Sequence, residues 1–287
     1  MTKILVTGAN GQLGSELLNL SSSYPEFDWV FVGRKQLDLN NVSAINEQLI
    51  KFNPDVIFNC AAYTAVDKAE EEPEAADTIN HLAVGAIAEF AYENHVRFIH
   101  VSTDYVFDGT KNSPLTELEV TNPINVYGAS KLAGEVLALK NNPTAIIIRT
   151  SWVYSEFGNN FVKTMLRLMK EREQISVVDD QIGSPTYAAD LAEVLIEISK
   201  APKWKPGIYN YSNEGEVSWF DFAKAIQQLS KSDCNVHGVP TTSYPTPANR
   251  PAFSLLDKSK IKETFGIAIP DYKDSILKCL TKLSSQQ

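Results

Sequence analysis

Five short runs of consecutive apolar residues recur through the first 150 residues, and no other feature of the chain constrains its fold as strongly. They are Ile4-Leu5-Val6, Val30-Phe31-Val32, Val56-Ile57-Phe58 with its flanking Asp55 and Asn59, Phe98-Ile99-His100-Val101-Ser102, and Ala145-Ile146-Ile147-Ile148-Arg149. Each is apolar at successive rather than alternate positions. Strands that read this way are buried on both faces, which is the situation inside a parallel sheet. The segments between them carry helical periodicity, with Leu13, Leu17, Leu18 and Leu20 in about 12–22 and Val42, Ile45, Leu49 and Ile50 in about 42–52. The longest stretch, about 74–94, carries Ile79, Leu82, Ala83, Ala86, Ile87 and Phe90, and a further helix is expected over about 127–140. Strand–helix alternation of this kind predicts right-handed βαβ crossovers and a doubly wound α/β sheet with helices on both faces.

After residue 150 the rhythm loosens. Helices are expected near 160–172, 188–199, 218–230, 257–264 and 272–282, and short strands near 175–178, 207–211 and 235–239. Pro240, Pro245, Pro247 and Pro251 mark an ordered irregular segment. With no Gly/Ser-rich linker and no internal repeat, the expected division is a dinucleotide-binding domain over 1–150 and a smaller mixed α/β lobe over 151–287. That lobe packs closely on the first domain, and its segments are free to return to it.

Composition excludes several function classes. With 26 Lys+Arg against 35 Asp+Glu, the net charge of −9 argues against phosphate neutralisation of a nucleic acid and against a polybasic membrane surface. A local basic pocket for a small anionic ligand stays compatible with it. There is no apolar run of transmembrane length, and the first apolar run breaks at Gly8, too early for a signal-peptide core. Cys60, Cys234 and Cys279 form neither a C-x-x-C pair nor an even framework, so free thiols in a reducing cytoplasm are expected and no metal site is assigned.

The first strand runs into Thr7-Gly8-Ala9-Asn10-Gly11-Gln12-Leu13-Gly14. Gly8 permits a tight turn, Gly11 lets the backbone approach a pyrophosphate, and Gly14 lets the next helix pack on the sheet. The helix N-terminus, with Asn10, Gln12 and Leu13 around it, then faces the phosphates. This placement after the first strand and before the first helix reads as a Rossmann-type cofactor turn rather than three chance glycines. Its G-x-x-G-x-x-G spacing resembles the extended short-chain dehydrogenase/reductase superfamily. At the end of the second strand stands Arg34 in place of a carboxylate, suited to a ribose 2′-phosphate. Asp38-Leu39 follow, with Asp38 placed for the adenine edge. NADPH is therefore the expected cofactor, and NADH stays open.

Tyr127 and Lys131 lie four apart, one turn along a helix face. A phenol with a pKa near 10 exchanges protons poorly at neutral pH, and a nearby ammonium or an oxidised nicotinamide favours its phenolate. Behind a dinucleotide-binding half, the pair reads as a general acid for a carbonyl oxygen receiving hydride, with the lysine holding ribose hydroxyls. The fourth strand ends Val101-Ser102-Thr103-Asp104. Thr103 is the hydroxyl expected to polarise that carbonyl, with Ser102 as the competing candidate.

Longer blocks are more specific. Asn59-Cys60-Ala61-Ala62-Tyr63-Thr64-Ala65-Val66-Asp67-Lys68-Ala69-Glu70, Ser102 to Gly109, Asn125-Val126-Tyr127-Gly128-Ala129-Ser130-Lys131, Asp180-Gln181-Ile182-Gly183-Ser184-Pro185-Thr186 and Arg250-Pro251-Ala252-Phe253-Ser254-Leu255-Leu256-Asp257 resemble segments of the dTDP-4-dehydrorhamnose reductases. So do Arg149-Thr150-Ser151-Trp152-Val153-Tyr154 and Gly158-Asn159-Asn160-Phe161-Val162. The likeness runs from Ile4 to about Leu277. It implies reduction by NAD(P)H of the C4 ketone of dTDP-4-dehydro-L-rhamnose to dTDP-L-rhamnose, a precursor of cell-surface polysaccharide. It further implies Tyr127 as proton donor, Lys131 on the nicotinamide ribose, and Thr103 on the reacting oxygen. Ala61, Ala62 and Tyr63 would line the cofactor, and Asp104, Tyr105 and Trp152 would face the sugar nucleotide. Arg250 is a fitting cation for the substrate pyrophosphate. Val66 and Phe161 read equally as pocket wall or core.

Some members of the family form magnesium-bridged dimers. Glu193 and Glu197, four apart on one helix face, read here as a solvated flank, and either a monomer or a homodimer is compatible with the sequence. Two alternatives share the resemblance: a reductase of another 4-keto-6-deoxy sugar nucleotide, and a partner-binding protein like the regulatory subunit of methionine adenosyltransferase. The intact set Thr103, Tyr127 and Lys131 favours turnover. A 4,6-dehydratase is disfavoured, because Thr103-Asp104-Tyr105 stands where those enzymes carry Asp-Glu.

Overall fold

Six parallel strands form the central sheet in the order β2-β1-β3-β4-β5-β10 in a computed structural model that describes residues 1–285. The strands are β1 (Thr2–Thr7), β2 (Phe27–Val32), β3 (Val56–Asn59), β4 (Arg97–Thr103) and β5 (Ile146–Thr150), then short β6 (Val153–Tyr154), β7 (Gln174–Val178), β8 (Ile182–Gly183), β9 (Thr186–Tyr187), β10 (Gly207–Asn210), β11 (Val217–Ser218) and β12 (Asn235–Val239). The helices are α1 (Gln12–Ser21), α2 (Ile45–Phe52), α3 (Val66–Ala69), α4 (Pro73–Asp77), α5 (Ala83–Glu93), α6 (Val126–Asn141), α7 (Phe161–Glu171), α8 (Ala188–Lys200), α9 (Trp219–Ser230), α10 (Ser259–Phe265) and α11 (Tyr272–Ser285).

Side chains alternate across a strand, so each apolar run supplies both faces. Leu5, Ile57, Phe98 and Ile147 pack with residues of α2 and α5 on one face, including Ile45, Leu49, Val84 and Ile87. Ile4, Val6, Val56, Phe58, Ile99, Ile146 and Ile148 pack on the other against α1, α8 and α10 through Leu13, Leu17, Leu195 and Ile261. The sheet is thus doubly wound, with helices on both sides. A further core joins β7 and β12, which pair in parallel, to α7, α9 and α11.

Two elements depart from a strict first-half sheet and unbroken helices. Residues 207–210 return as the edge strand β10 beside β5, and α8 supplies much of one face. The expected helix over about 74–94 is broken into α4 and α5 by a π turn at Thr78–Leu82. That turn carries the buried Asn80, whose amide bonds the Tyr63 backbone at N (2.8 Å) and O (3.0 Å) and donates to Ser130 Oγ (3.0 Å). The interruption thereby ties the loop after β3 to α6.

The chain reverses direction across the sheet between β1 and β3. Ligands of open α/β sheets bind outside the carboxyl ends of strands at such a point, and that is where the candidate site opens.

Candidate active site

A cleft of about 520 Å³ runs across the carboxyl ends of β1, β3 and β4. Gly8, Asn10, Gly11, Gln12 and Leu13 form one wall of it, and Arg34, Asp38 and Leu39 another. Gly8 has a φ of +67°, and a Cβ there would stand 2.8 Å from the Ala61 backbone. Only glycine lets this turn lie against the loop after β3. α1 starts immediately after it, with Gly11 as an extended N-cap and no side chain satisfying its first amides. Free N–H groups and the positive helix end therefore face the cleft. Asp38 accepts hydrogen bonds from Asn40 N (3.1 Å) and Nδ2 (2.9 Å), which hold its carboxyl below the usual range. Ala61 and Ala62 line the cleft. Tyr63 is turned away, its hydroxyl on Glu72 at 2.8 Å.

Tyr127 and Lys131 reach the same cleft from α6. Asn125 caps that helix, accepting from Gly128 N at 2.7 Å. A Cβ on Gly128 would lie 2.2 Å from the Tyr105 carbonyl, so this glycine allows α6 to settle against the end of β4. That approach sets the Tyr127 hydroxyl beside Thr103, close enough for the threonine to lower its pKa. Thr103 Oγ1 donates to Asp104 Oδ1 (3.1 Å) and accepts from Tyr105 N (3.2 Å). The Tyr105 ring meets Tyr127 edge-on at 5.8 Å. Ser102, the competing hydroxyl, lines the cleft with its buried Oγ unpartnered.

The electrostatics differ from the sequence expectation in one respect. Burial pushes Tyr127 up to about 12, against a lowering by the neighbouring Thr103 hydroxyl and with a further rise from the Asp104 charge. Lys131 does not offset this. Its Nζ is turned beneath the site onto Val101 O (2.7 Å) and His100 Nε2 (3.2 Å), and burial pushes it down to about 8. Tyr127 in this state is a firmly protonated phenol. Asp104 is raised by burial to about 6, so it stays mostly ionised at neutral pH.

The residues expected on the sugar side stand apart from the dinucleotide cleft. Trp152 adopts a left-handed φ of 49° and stacks on Trp219, with centroids 3.7 Å apart. Phe161 packs on Trp219 at 4.6 Å and Phe222 at 5.3 Å. The Arg250 guanidinium is gripped by Asp67 through two bonds of 3.0 and 2.8 Å. It also donates to Thr246 Oγ1 and Ala248 O. Glu193 and Glu197 are exposed on α8, with Lys200 3.4 Å from Glu197. Among the described residues no group of three His, Cys, Asp or Glu is arranged to hold a metal ion, and no helix is long and apolar enough to cross a membrane. The three cysteines are free.

Some residues of the site escaped sequence reasoning. Gln12 bridges the glycine turn to the second half of the chain, donating to Val153 O (3.3 Å) and accepting from Asn160 (2.9 Å). Its place in the G-x-x-G-x-x-G turn pointed to the cofactor, and the bridge to the second half of the chain was not legible there. His100 and Asn59 sit under Lys131; His100 carried no role in the sequence reading, and Asn59 only opened the block after β3.

A family model described as the RmlD substrate binding domain matches residues 1–285. A dTDP-4-dehydrorhamnose reductase of Aggregatibacter actinomycetemcomitans is 43% identical over 286 residues, covering 96% of this chain and 97% of that protein. The crystal structure of a Clostridium acetobutylicum dTDP-4-dehydrorhamnose reductase superposes with a TM-score of 0.94 at 38% identity, covering 99% of this chain and all of the other. That of the Bacillus anthracis reductase in complex with NADP gives 0.93 at 38% identity over 98% of this chain and all of the other. Such agreement in sequence and in fold over essentially the whole length places the chain in the dTDP-4-dehydrorhamnose reductase family.

Proposed function

We propose that this protein reduces the C4 ketone of dTDP-4-dehydro-L-rhamnose with NADPH, releasing dTDP-L-rhamnose. The observation that carries this reading is the Thr103–Tyr127 hydroxyl pair at the edge of the dinucleotide cleft, in a chain whose full-length relatives are named for this reaction. The cleft suits NADPH: the Gly8 turn has no room for a Cβ, α1 offers uncapped amides, and exposed Arg34 stands at the mouth for a 2′-phosphate. NADPH, when bound, supplies the hydride. Tyr127 donates its proton to the C4 oxygen as charge develops there, and Thr103 bonds the same oxygen. Lys131 holds the ribose end of the cofactor site. Ala61 and Ala62 shape the wall after β3. Asp104, Tyr105 and Trp152 face the sugar nucleotide, and Arg250 shares its fork between Asp67 and the pyrophosphate. The three free thiols support a cytoplasmic setting.

The test is NADPH oxidation by purified protein supplied with dTDP-4-dehydro-L-rhamnose. Turnover to dTDP-L-rhamnose supports the reading. NADPH binding without oxidation of this sugar contradicts it and points to another keto-sugar or to a binding role. Arg34 carries a second expectation. Arg34→Ala should raise KM for NADPH by about tenfold to a hundredfold, the loss of a charge-assisted hydrogen bond of about 1.5–3 kcal/mol. KM for NADH should hardly change, and equal loss with both cofactors would exclude Arg34 as the 2′-phosphate ligand.

A further inference from the structure

Beneath the cleft, three parallel strands carry a polar row through an otherwise apolar layer. Thr7, Asn59 and His100 are register partners on β1, β3 and β4, and all three are almost wholly buried. Thr7 Oγ1 lies 2.6 Å from Asn59 Oδ1. Asn59 Nδ2 lies 2.9 Å from His100 Nδ1, and His100 Nε2 lies 3.2 Å from Lys131 Nζ. The row starts at the glycine turn, where Thr7 Oγ1 accepts from Ala61 N at 3.1 Å, and ends under the lysine.

Hydrogen-bond direction along the row is determined by its members. The Thr7 hydroxyl proton has Asn59 Oδ1 as its acceptor, so the Asn59 amide nitrogen faces the imidazole and donates to Nδ1. An imidazole that accepts at Nδ1 and is neutral carries its proton on Nε2. Neutrality is enforced by complete burial, which pushes His100 well below its usual range. Nε2–H therefore points at Lys131 Nζ. An amine can accept that bond, whereas an ammonium, which only donates, cannot.

The charges around Lys131 leave it without a counterion. Glu135, one turn along α6, is taken by Arg149 of β5, whose Nη2 lies 2.7 Å from it. Cys60, beyond β3, is kept a thiol by burial. Tyr127 is a phenol, and the remaining partner on β4 is the Val101 carbonyl.

We propose that His100 and Asn59 are positioning residues for Lys131: locked as the Nε2–H tautomer, the imidazole steadies the buried lysine as an amine, so that Lys131 takes up a proton when an anionic dinucleotide enters the cleft. The idea deepens the reading of Lys131 as a cofactor-binding residue and rests on it. Burial already brings Lys131 down to about 8, against a rise from the Glu135 charge, and a hydrogen-bond donor facing it acts in the same direction as burial. The ammonium form binds the anionic cofactor better. Affinity should therefore be greatest at low pH and weaken as pH rises through the Lys131 value.

Two measurements need no sugar substrate, so they stand or fall separately from the reductase assignment. The first is 15N NMR of histidine-labelled wild-type protein, with the His100 signals assigned by their loss in His100→Gln. The expected spectrum has Nε2 protonated and Nδ1 bare above the Lys131 value, at about pH 9. A proton on Nδ1, or an imidazolium, would overturn the proposal. The second is NADPH affinity by fluorescence from pH 6 to 10. The wild-type inflection is expected near pH 8. Asn59→Asp places a carboxylate against Nδ1, favours Nδ1–H and leaves Nε2 to accept from an ammonium, so the inflection should move up by about one pH unit or more. An inflection at the usual lysine value of about 10.4 in the wild type, or one unmoved in folded Asn59→Asp, would equally overturn it. If that variant fails to fold, the wild-type spectrum and inflection decide alone.

Discussion

Tyr127→Phe is expected to lower kcat for reduction of dTDP-4-dehydro-L-rhamnose by about a hundredfold to ten-thousandfold, the range for loss of a positioned general acid. NADPH affinity should stay within about threefold of wild type, because the lost hydroxyl stands beside Thr103, while the proposed dinucleotide contacts are the glycine turn and Arg34 elsewhere in the cleft. The reasoning depends on protonation. With burial holding Tyr127 at about 12, the phenol keeps its proton across the neutral range until a developing alkoxide demands it. Steady-state kinetics beside fluorescence titration of NADPH separates the two effects. A variant that keeps more than about a tenth of wild-type kcat would remove Tyr127 from the role of proton donor.

Arg149→Met is expected to destabilise the fold by about 3–5 kcal/mol, the cost of stranding a buried charge. Arg149 on β5 and Glu135 on α6 are 3% and 1% exposed at their side chains. Arg149 Nε reaches both carboxylate oxygens at 3.0 and 3.2 Å, and Nη2 donates at 2.7 Å. The guanidinium also stacks over Phe107 at 5.1 Å. This pair fastens the helix that carries Tyr127 and Lys131 to the sheet. Removing only the cation leaves a carboxylate with neither water nor partner. The double variant Arg149→Met with Glu135→Leu removes both charges and should recover most of the loss. Urea unfolding measures both. A single variant within about 1 kcal/mol of wild type would show that the pair does not fasten α6.

The two predictions draw on different parts of what the sequence discloses. The parallel sheet was legible because β1, β3, β4 and β5 are each apolar on consecutive positions, a pattern that burial on both faces dictates. The glycine turn and the Tyr127–Lys131 spacing were legible because local geometry alone joins their residues. The polar row was not. His100 sits inside the apolar run Phe98–Val101 and reads there as core. Its partners Asn59 and Thr7 stand 41 and 93 residues earlier in the chain and meet it only through strand register. Arg250 shows the same limit: its charge was visible, but its partner Asp67 lies 183 residues away. The π turn at Thr78–Leu82 was hidden for another reason. Ile79, Leu82 and Ala83 keep the apolar spacing of a continuous helix, and the inserted residue is marked only by Asn80, whose partners belong to other segments.

The Lys131 environment changes how the Tyr-x-x-x-Lys pair is understood in this chain. The sequence suggests an ammonium that lowers the phenol. The folded protein instead turns the lysine onto β4 and leaves Tyr127 governed by burial and Thr103. Desolvation thus keeps Tyr127 protonated, as the proposed donor role requires, and the proposed role of the lysine lies on the cofactor side.

The central claim is that hydride passes from NADPH to C4 of the sugar in this cleft. Single-turnover reaction of the enzyme with NADPH deuterated at the reactive C4 position, followed by NMR of the product, tests it most directly. The account predicts dTDP-L-rhamnose carrying deuterium at sugar C4. Unlabelled sugar, or a product that is the C4 epimer of dTDP-L-rhamnose, would contradict it.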